Sequence, residues 1–165
     1  MEWLPIVAVV VTGLLVGVEA SVMFVMNPIF DGLPDDAAIL ARSHGARMLG
    51  RLMPFWYIGS TLLIAGTALV TPEAAALAWT SLALMLVSVV MSVALLVPIN
   101  NRSKTWTPET APADHHEQKD RWNRLHLVRV GVIGAAFVLV TVAAARCRAA
   151  QGAARPALTH QPRGG

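Results

Sequence analysis

Residues 74–99 read AAALAWTSLALMLVSVVMSVALLVPI, without one charged side chain. Coiled as a helix at 1.5 Å per residue, this run exceeds the ~30 Å of hydrocarbon in a bilayer. It is continuous and does not alternate, so it is not a strand of a transmembrane barrel, where apolar and polar positions alternate over about ten residues. Upstream, Thr71-Pro72 leaves room only for a tight turn, and before it residues 52–70 form a second uncharged run. A third run, 5–26, is interrupted by Glu19 alone, and a fourth, 127–145, carries Arg129 near its start. The expected fold is all-α, a four-transmembrane-helix bundle running up-down-up-down and antiparallel, with both termini on the same side.

Composition agrees. Of the 165 residues 55% are hydrophobic and 14% charged, with a mean hydropathy of +0.57. Soluble domains carry about 25% charged residues, so this chain lacks the polar surface that water requires. A net charge of +3, held in a few segments, gives no nucleic-acid-binding face. The lone cysteine, Cys147, excludes an intrachain disulfide and a Cys-rich zinc site. One membrane domain, 1–147, is expected, followed by a disordered tail, 148–165, rich in Gly, Ala, Pro and Arg.

The residue before a proline disfavours the helical region, so Asn27-Pro28 is expected to end the first helix. Gly13 and Gly17 have the GxxxG spacing that lets a second helix approach. Val18-Glu19-Ala20 loosely resembles a signal-peptide cleavage site, but Met1-Glu2-Trp3 is acidic and the apolar run continues to Met26, so a retained helix is the better reading. The long connections, 28–51 and 100–126, hold eight Lys/Arg against four on the other side. By the positive-inside rule they are expected to be cytoplasmic, in a cell-membrane protein.

A carboxylate in a bilayer costs ~2.5–3.5 kcal/mol, so Glu19 should face the bundle interior beside a partner. It lies seven residues before Met26, about 10 Å below the long-connection face. His44, Arg47 and Arg51 follow an i, i+3, i+7 stripe entering the second span, and Trp122, His126 and Arg129 an i, i+4, i+7 stripe entering the fourth. Asn100 and Asn101 close the third span at the same end, whereas Trp3 and Trp79 read as belt residues at the other. A lipid-facing basic stripe is the plainer reading of His44, Arg47 and Arg51 taken alone. The convergence instead describes an apolar pocket with an acid at its floor and His, Arg and Asn at its rim. Arg129 or Arg47 is the expected charge partner of Glu19. A metal held by Glu19, His44 and His126 is conceivable but follows no fixed ligand spacing. His115-His116, beside acids in a polar stretch, reads as a solvated pair. No metal ligand is therefore assigned, and the sequence leaves a bound metal or haem open.

Two segments carry a resemblance: Val97-Pro98-Ile99-Asn100-Asn101-Arg102 followed by Trp106, and Asp120-Arg121-Trp122-Asn123-Arg124-Leu125-His126-Leu127-Val128-Arg129. With an N-terminal helix carrying Gly13, Gly17 and Pro28, they resemble the anthrone oxygenase-like family of small four-helix integral membrane proteins, over roughly residues 10–145. The resemblance implies oxidation of an anthrone-type apolar aromatic to a quinone by dioxygen, with no dedicated cofactor. In that chemistry Glu19 or His126 is the expected base and Arg129 the stabiliser of the enolate oxygen, with His44, Arg47, Arg51, Asn100 and Trp122 as substrate contacts. Glu19 and His44-Gly45-Ala46-Arg47 match no motif known as catalytic in the family. The alternative is a non-catalytic accessory or lipid-binding bundle. Expected partners are the lipid bilayer and a small apolar substrate, with homo-oligomerisation left open and no nucleic acid.

Overall fold

The computed structural model describes residues 3–159. They form four long helices, α1 Leu4–Asp31, α2 Asp35–Val70, α3 Pro72–Ser103 and α4 His115–Thr159, with no strand among the described residues. Each of the four is long and apolar enough to cross a membrane. The helical path continues past residue 147 through Thr159, so the start of the tail expected to be disordered is helical. Residues 160–165, the end of that tail, lie outside the described residues.

The helices extend beyond the apolar runs. α2 has 36 residues, about 54 Å, so roughly half its length is more than the hydrocarbon needs. The connection expected over 28–51 therefore reduces to a short turn at 32–34, and the longer irregular segment is 104–114. Thr71 leaves helical geometry at φ −123° and ψ 68°, and a 3₁₀ turn, Pro72–Ala74, starts α3.

Asn27-Pro28 does not end α1, contrary to expectation. Proline lacks an N–H and crowds the carbonyl four residues earlier. Here a wide π turn, Val22–Met26, precedes it and the helix continues to Asp31. The same device recurs in α3, where a π turn at Ser92–Leu96 precedes Pro98. Such insertions are concentrated at functional sites.

Apolar side chains point outward as well as inward. Phe55 is 77% exposed and Leu69 72%, and Phe24, Leu62 and Val90 are also exposed. In water these patches would be a liability; against lipid they are solvated. The core joins all four helices through Ala8, Leu15, Ile64, Met85, Ile133 and Val140. Trp56 Nε1 donates across to the Val11 carbonyl at 3.1 Å, and Ser81 Oγ to that of Ala136 at 2.7 Å. Of the two GxxxG glycines only Gly13 sits in a close contact, because a Cβ there would lie 3.0 Å from the Phe137 ring, whereas one at Gly17 would meet nothing within 4 Å.

Candidate functional site

Glu19 lies on α1 three residues before Val22, the first residue of the π turn, and it is 2% exposed. Its Oε1 accepts from the Tyr57 hydroxyl at 2.9 Å and its Oε2 from Arg129 Nη2 at 2.6 Å. Three helices thus meet on one carboxylate. A fourth joins through Ser92, at the start of the α3 π turn, whose Oγ accepts from Arg129 Nη1 at 3.1 Å and donates to the Ser88 carbonyl at 2.8 Å. Two widened turns therefore flank a single ion pair.

His126 is fully buried beside this pair. Arg129 Nη2 lies 2.9 Å from its Nδ1, and its Nε2 lies 3.2 Å from the backbone carbonyl of Glu19. A guanidinium only donates and a carbonyl only accepts, so Nδ1 carries the lone pair and Nε2 the proton. Both ring nitrogens are occupied, and the ring is oriented between α1 and Arg129. Trp122 stacks on it at 4.5 Å, and Arg129 Cζ sits 5.5 Å from the Tyr57 ring centre.

This network closes one end of a cavity of about 180 Å³. A cavity of ~150 Å³ already holds one benzene ring. Met26, Phe30, Met53, Pro54 and Trp106 form apolar walls, while Glu19, Tyr57, Asn100, Trp122, His126 and Arg129 supply polar groups. Two buried donors, Arg129 Nε and Trp122 Nε1, have no hydrogen-bond partner among the described residues. Arg42 and Lys119 also border the cavity, and both bind Asp31 Oδ1, at 2.7 and 3.1 Å.

The structure brings together Glu19, Asn100, Trp122, His126 and Arg129 from the sequence-derived set. It leaves His44, Arg47 and Arg51 exposed and away from the cavity lining. Arg47 instead donates to Ser43 Oγ and to the Lys104 carbonyl, both at 2.7 Å, so Arg129 and not Arg47 partners Glu19. The conceivable Glu19, His44 and His126 ligand set is likewise not assembled. The stripe through His44, Arg47 and Arg51 is a real helix face, but it is exposed, and Arg47 on it reaches the Lys104 carbonyl rather than the cavity. Tyr57 and Ser92 were missed. Tyr57 is the chain's single tyrosine, in a run otherwise without ionisable groups, and that isolation was its one signal.

Residues 40–139, more than half of the chain, match the model of a family described as anthrone oxygenase. The matched stretch takes in Tyr57, Ser92, Asn100, Trp122, His126 and Arg129, and Glu19 lies before it. No curated protein and no solved structure matches the chain.

Proposed function

We propose, from the premise that this chain belongs to the anthrone oxygenase family, that it is a membrane-bound oxygenase oxidising an apolar aromatic ring ketone of the anthrone type to a quinone with dioxygen. The observation that carries this reading is a buried carboxylate, gripped by Tyr57 and Arg129, at the closed end of an apolar cavity.

Glu19 is the base. The methylene C–H of the ketone breaks heterolytically, its proton passes to Glu19 through the Tyr57 hydroxyl, and the electron pair delocalises onto the ketone oxygen. Arg129, a cation in the cavity lining, offsets the charge that develops on that oxygen. The ring carbon then adds dioxygen and, once protonated, becomes a hydroperoxide. Loss of the second methylene proton with cleavage of the O–O bond leaves the new carbonyl and releases water. Overall, CH₂ and O₂ become C=O and H₂O. His126 is a positioning residue, since its free lone pair is engaged by Arg129 and is not open to substrate. The reading uses no dedicated cofactor, and an absorption spectrum of the purified protein carrying a flavin or haem band contradicts that part.

The pairings of Gly13 with Phe137, Glu19 with Arg129 and Asn27 with Asn123 favour an antiparallel course with both chain ends at one membrane face. The Lys/Arg excess favours cytoplasmic 28–51 and 100–126 segments in a cell membrane.

The test is quinone formation and oxygen uptake with an anthrone, using protein in lipid nanodiscs. Glu19→Gln is expected to lower turnover by about 10²–10⁴-fold, the usual contribution of a general base. Unchanged turnover in that variant rejects Glu19 as the base. The completeness of the pairing around Glu19 favours a second reading, a packing device in a non-catalytic bundle. That reading predicts a lower melting temperature in the variant and no turnover in either protein.

A further inference from the structure

Beside the cavity mouth the first turn of α2 meets the first turn of α4. There Asp35, His115 and His116 each offer an atom that could hold a metal ion, and these atoms all lie within 4.8 Å of one another. His115 Nε2 is 3.5 Å from Asp35 Oδ2, and His116 Nε2 is 3.5 Å from Oδ1. An N–H···O hydrogen bond is shorter, about 2.9–3.0 Å. The 3.5 Å between His115 Nε2 and Asp35 Oδ2 is close instead to the edge of a tetrahedron of donors held ~2.0–2.1 Å from one ion, about 3.4 Å, and with one atom from each residue the three donors lie within 4.8 Å of one another.

The ring of His115 is set for ligation. Its Nδ1 lies 2.9 Å from the Pro112 carbonyl, which can only accept, so in the neutral ring the lone pair is on Nε2. That Nε2 is buried and makes no hydrogen bond among the described residues. Buried Trp106 packs edge-on against the ring at 6.3 Å and 80°, and the His116 ring lies 4.0 Å away. A backbone carbonyl holding the far nitrogen is the usual support behind a metal-binding imidazole. Lys119, one turn along α4, is opposed by Asp31 at 3.1 Å.

We infer that Asp35, His115 and His116 form a binding site for a divalent first-row transition ion, for which Zn²⁺ is the probe. Two imidazoles and one carboxylate suit such ions, whereas Mg²⁺ and Ca²⁺ favour all-oxygen shells. The His116 and Asp35 side chains are 62% and 56% exposed, so water completes the shell from one side and the ion exchanges freely. Bound there, the ion ties the start of α2 to the start of α4 across the 104–114 segment. That segment carries Trp106, which lines the cavity of the proposed oxygenase site, so the ion fastens the cavity mouth.

The rival arrangement is a proton shared among the three groups, with no affinity for metal. Calorimetric titration of the untagged full chain in detergent with Zn²⁺ separates the two. One ion per chain is expected, together with a Zn²⁺-dependent rise in melting temperature. Asp35→Asn and His116→Ala, both at exposed positions, should each weaken binding by at least about 100-fold, since loss of even an outer-shell partner costs 10–100-fold. His44→Ala should bind as the parent does. Absence of one-to-one binding in the parent, or undiminished binding in both Asp35→Asn and His116→Ala, overturns the inference. Neither result depends on turnover, so the oxygenase reading stands or falls separately.

Discussion

Around Thr67 and Thr71 the bundle satisfies its hydroxyls within one helix: Thr67 Oγ1 donates to the Leu63 carbonyl at 2.9 Å and Thr71 Oγ1 to that of Thr67 at 2.8 Å. Nearby, Ala68, Ala74, Ala78 and Ala143 pack as a cluster of small side chains. Around Glu19, by contrast, polar groups are satisfied between helices, through Tyr57 on α2, Ser92 on α3, and His126 and Arg129 on α4. There the helices widen, prolines interrupt the backbone, and a cavity remains. Hydroxyls bonded to their own helix can be lost without touching a neighbour. A carboxylate shared among helices makes the arrangement of the bundle depend on one charge, and beside it two buried donors, Arg129 Nε and Trp122 Nε1, have no partner among the described residues.

Breaking the shared charge should have the largest effect. Glu19→Ala or Arg129→Ala leaves its partner buried and unpaired and is expected to cost about 3–5 kcal/mol, read as denaturant or thermal unfolding in detergent. Replacing both together, as Glu19→Met with Arg129→Leu, should cost less than either alone. A double variant worse than both singles would mean that the pair is not the unit described. Tyr57→Phe removes one donor to a carboxylate and should cost about 1.5–3 kcal/mol, with a drop in turnover that follows the loss of the relay. On the opposite side of the comparison, Ala78→Leu overfills the small-residue cluster and should cost about 1–3 kcal/mol while leaving substrate binding unchanged. Thr67→Val is the mildest change, at no more than about 1 kcal/mol, because the Leu63 carbonyl keeps its place in the helix.

The four spans were legible because a continuous apolar run longer than the bilayer admits few other structures. Glu19, His126 and Arg129 were legible for a related reason: an isolated charge in such a run needs a partner, and helical spacing puts His126 and Arg129 on one stripe. The same spacing rule misdirected His44, Arg47 and Arg51. Periodicity says which residues share a face, and it is silent on what that face meets. Tyr57 was hidden because a phenol in an apolar span is ordinary until an acceptor is known to lie opposite. The continuation of α1 through Pro28 was hidden too, since the π turn that accommodates the proline depends on packing and not on the dipeptide. Asp35 beside His115 and His116 is a tertiary meeting of two helix starts, eighty residues apart in sequence.

The central claim is that Glu19 removes a proton from a ketone bound in the cavity, and that step precedes any encounter with oxygen. It can be watched alone, as exchange of the methylene hydrogens of an anthrone for deuterium in D₂O under strictly anaerobic conditions. The account predicts that the protein in nanodiscs accelerates exchange well above empty nanodiscs and that Glu19→Gln, still folded, does not. Exchange equally fast in Glu19→Gln, or no acceleration by the parent protein while it still forms quinone in air, would contradict it.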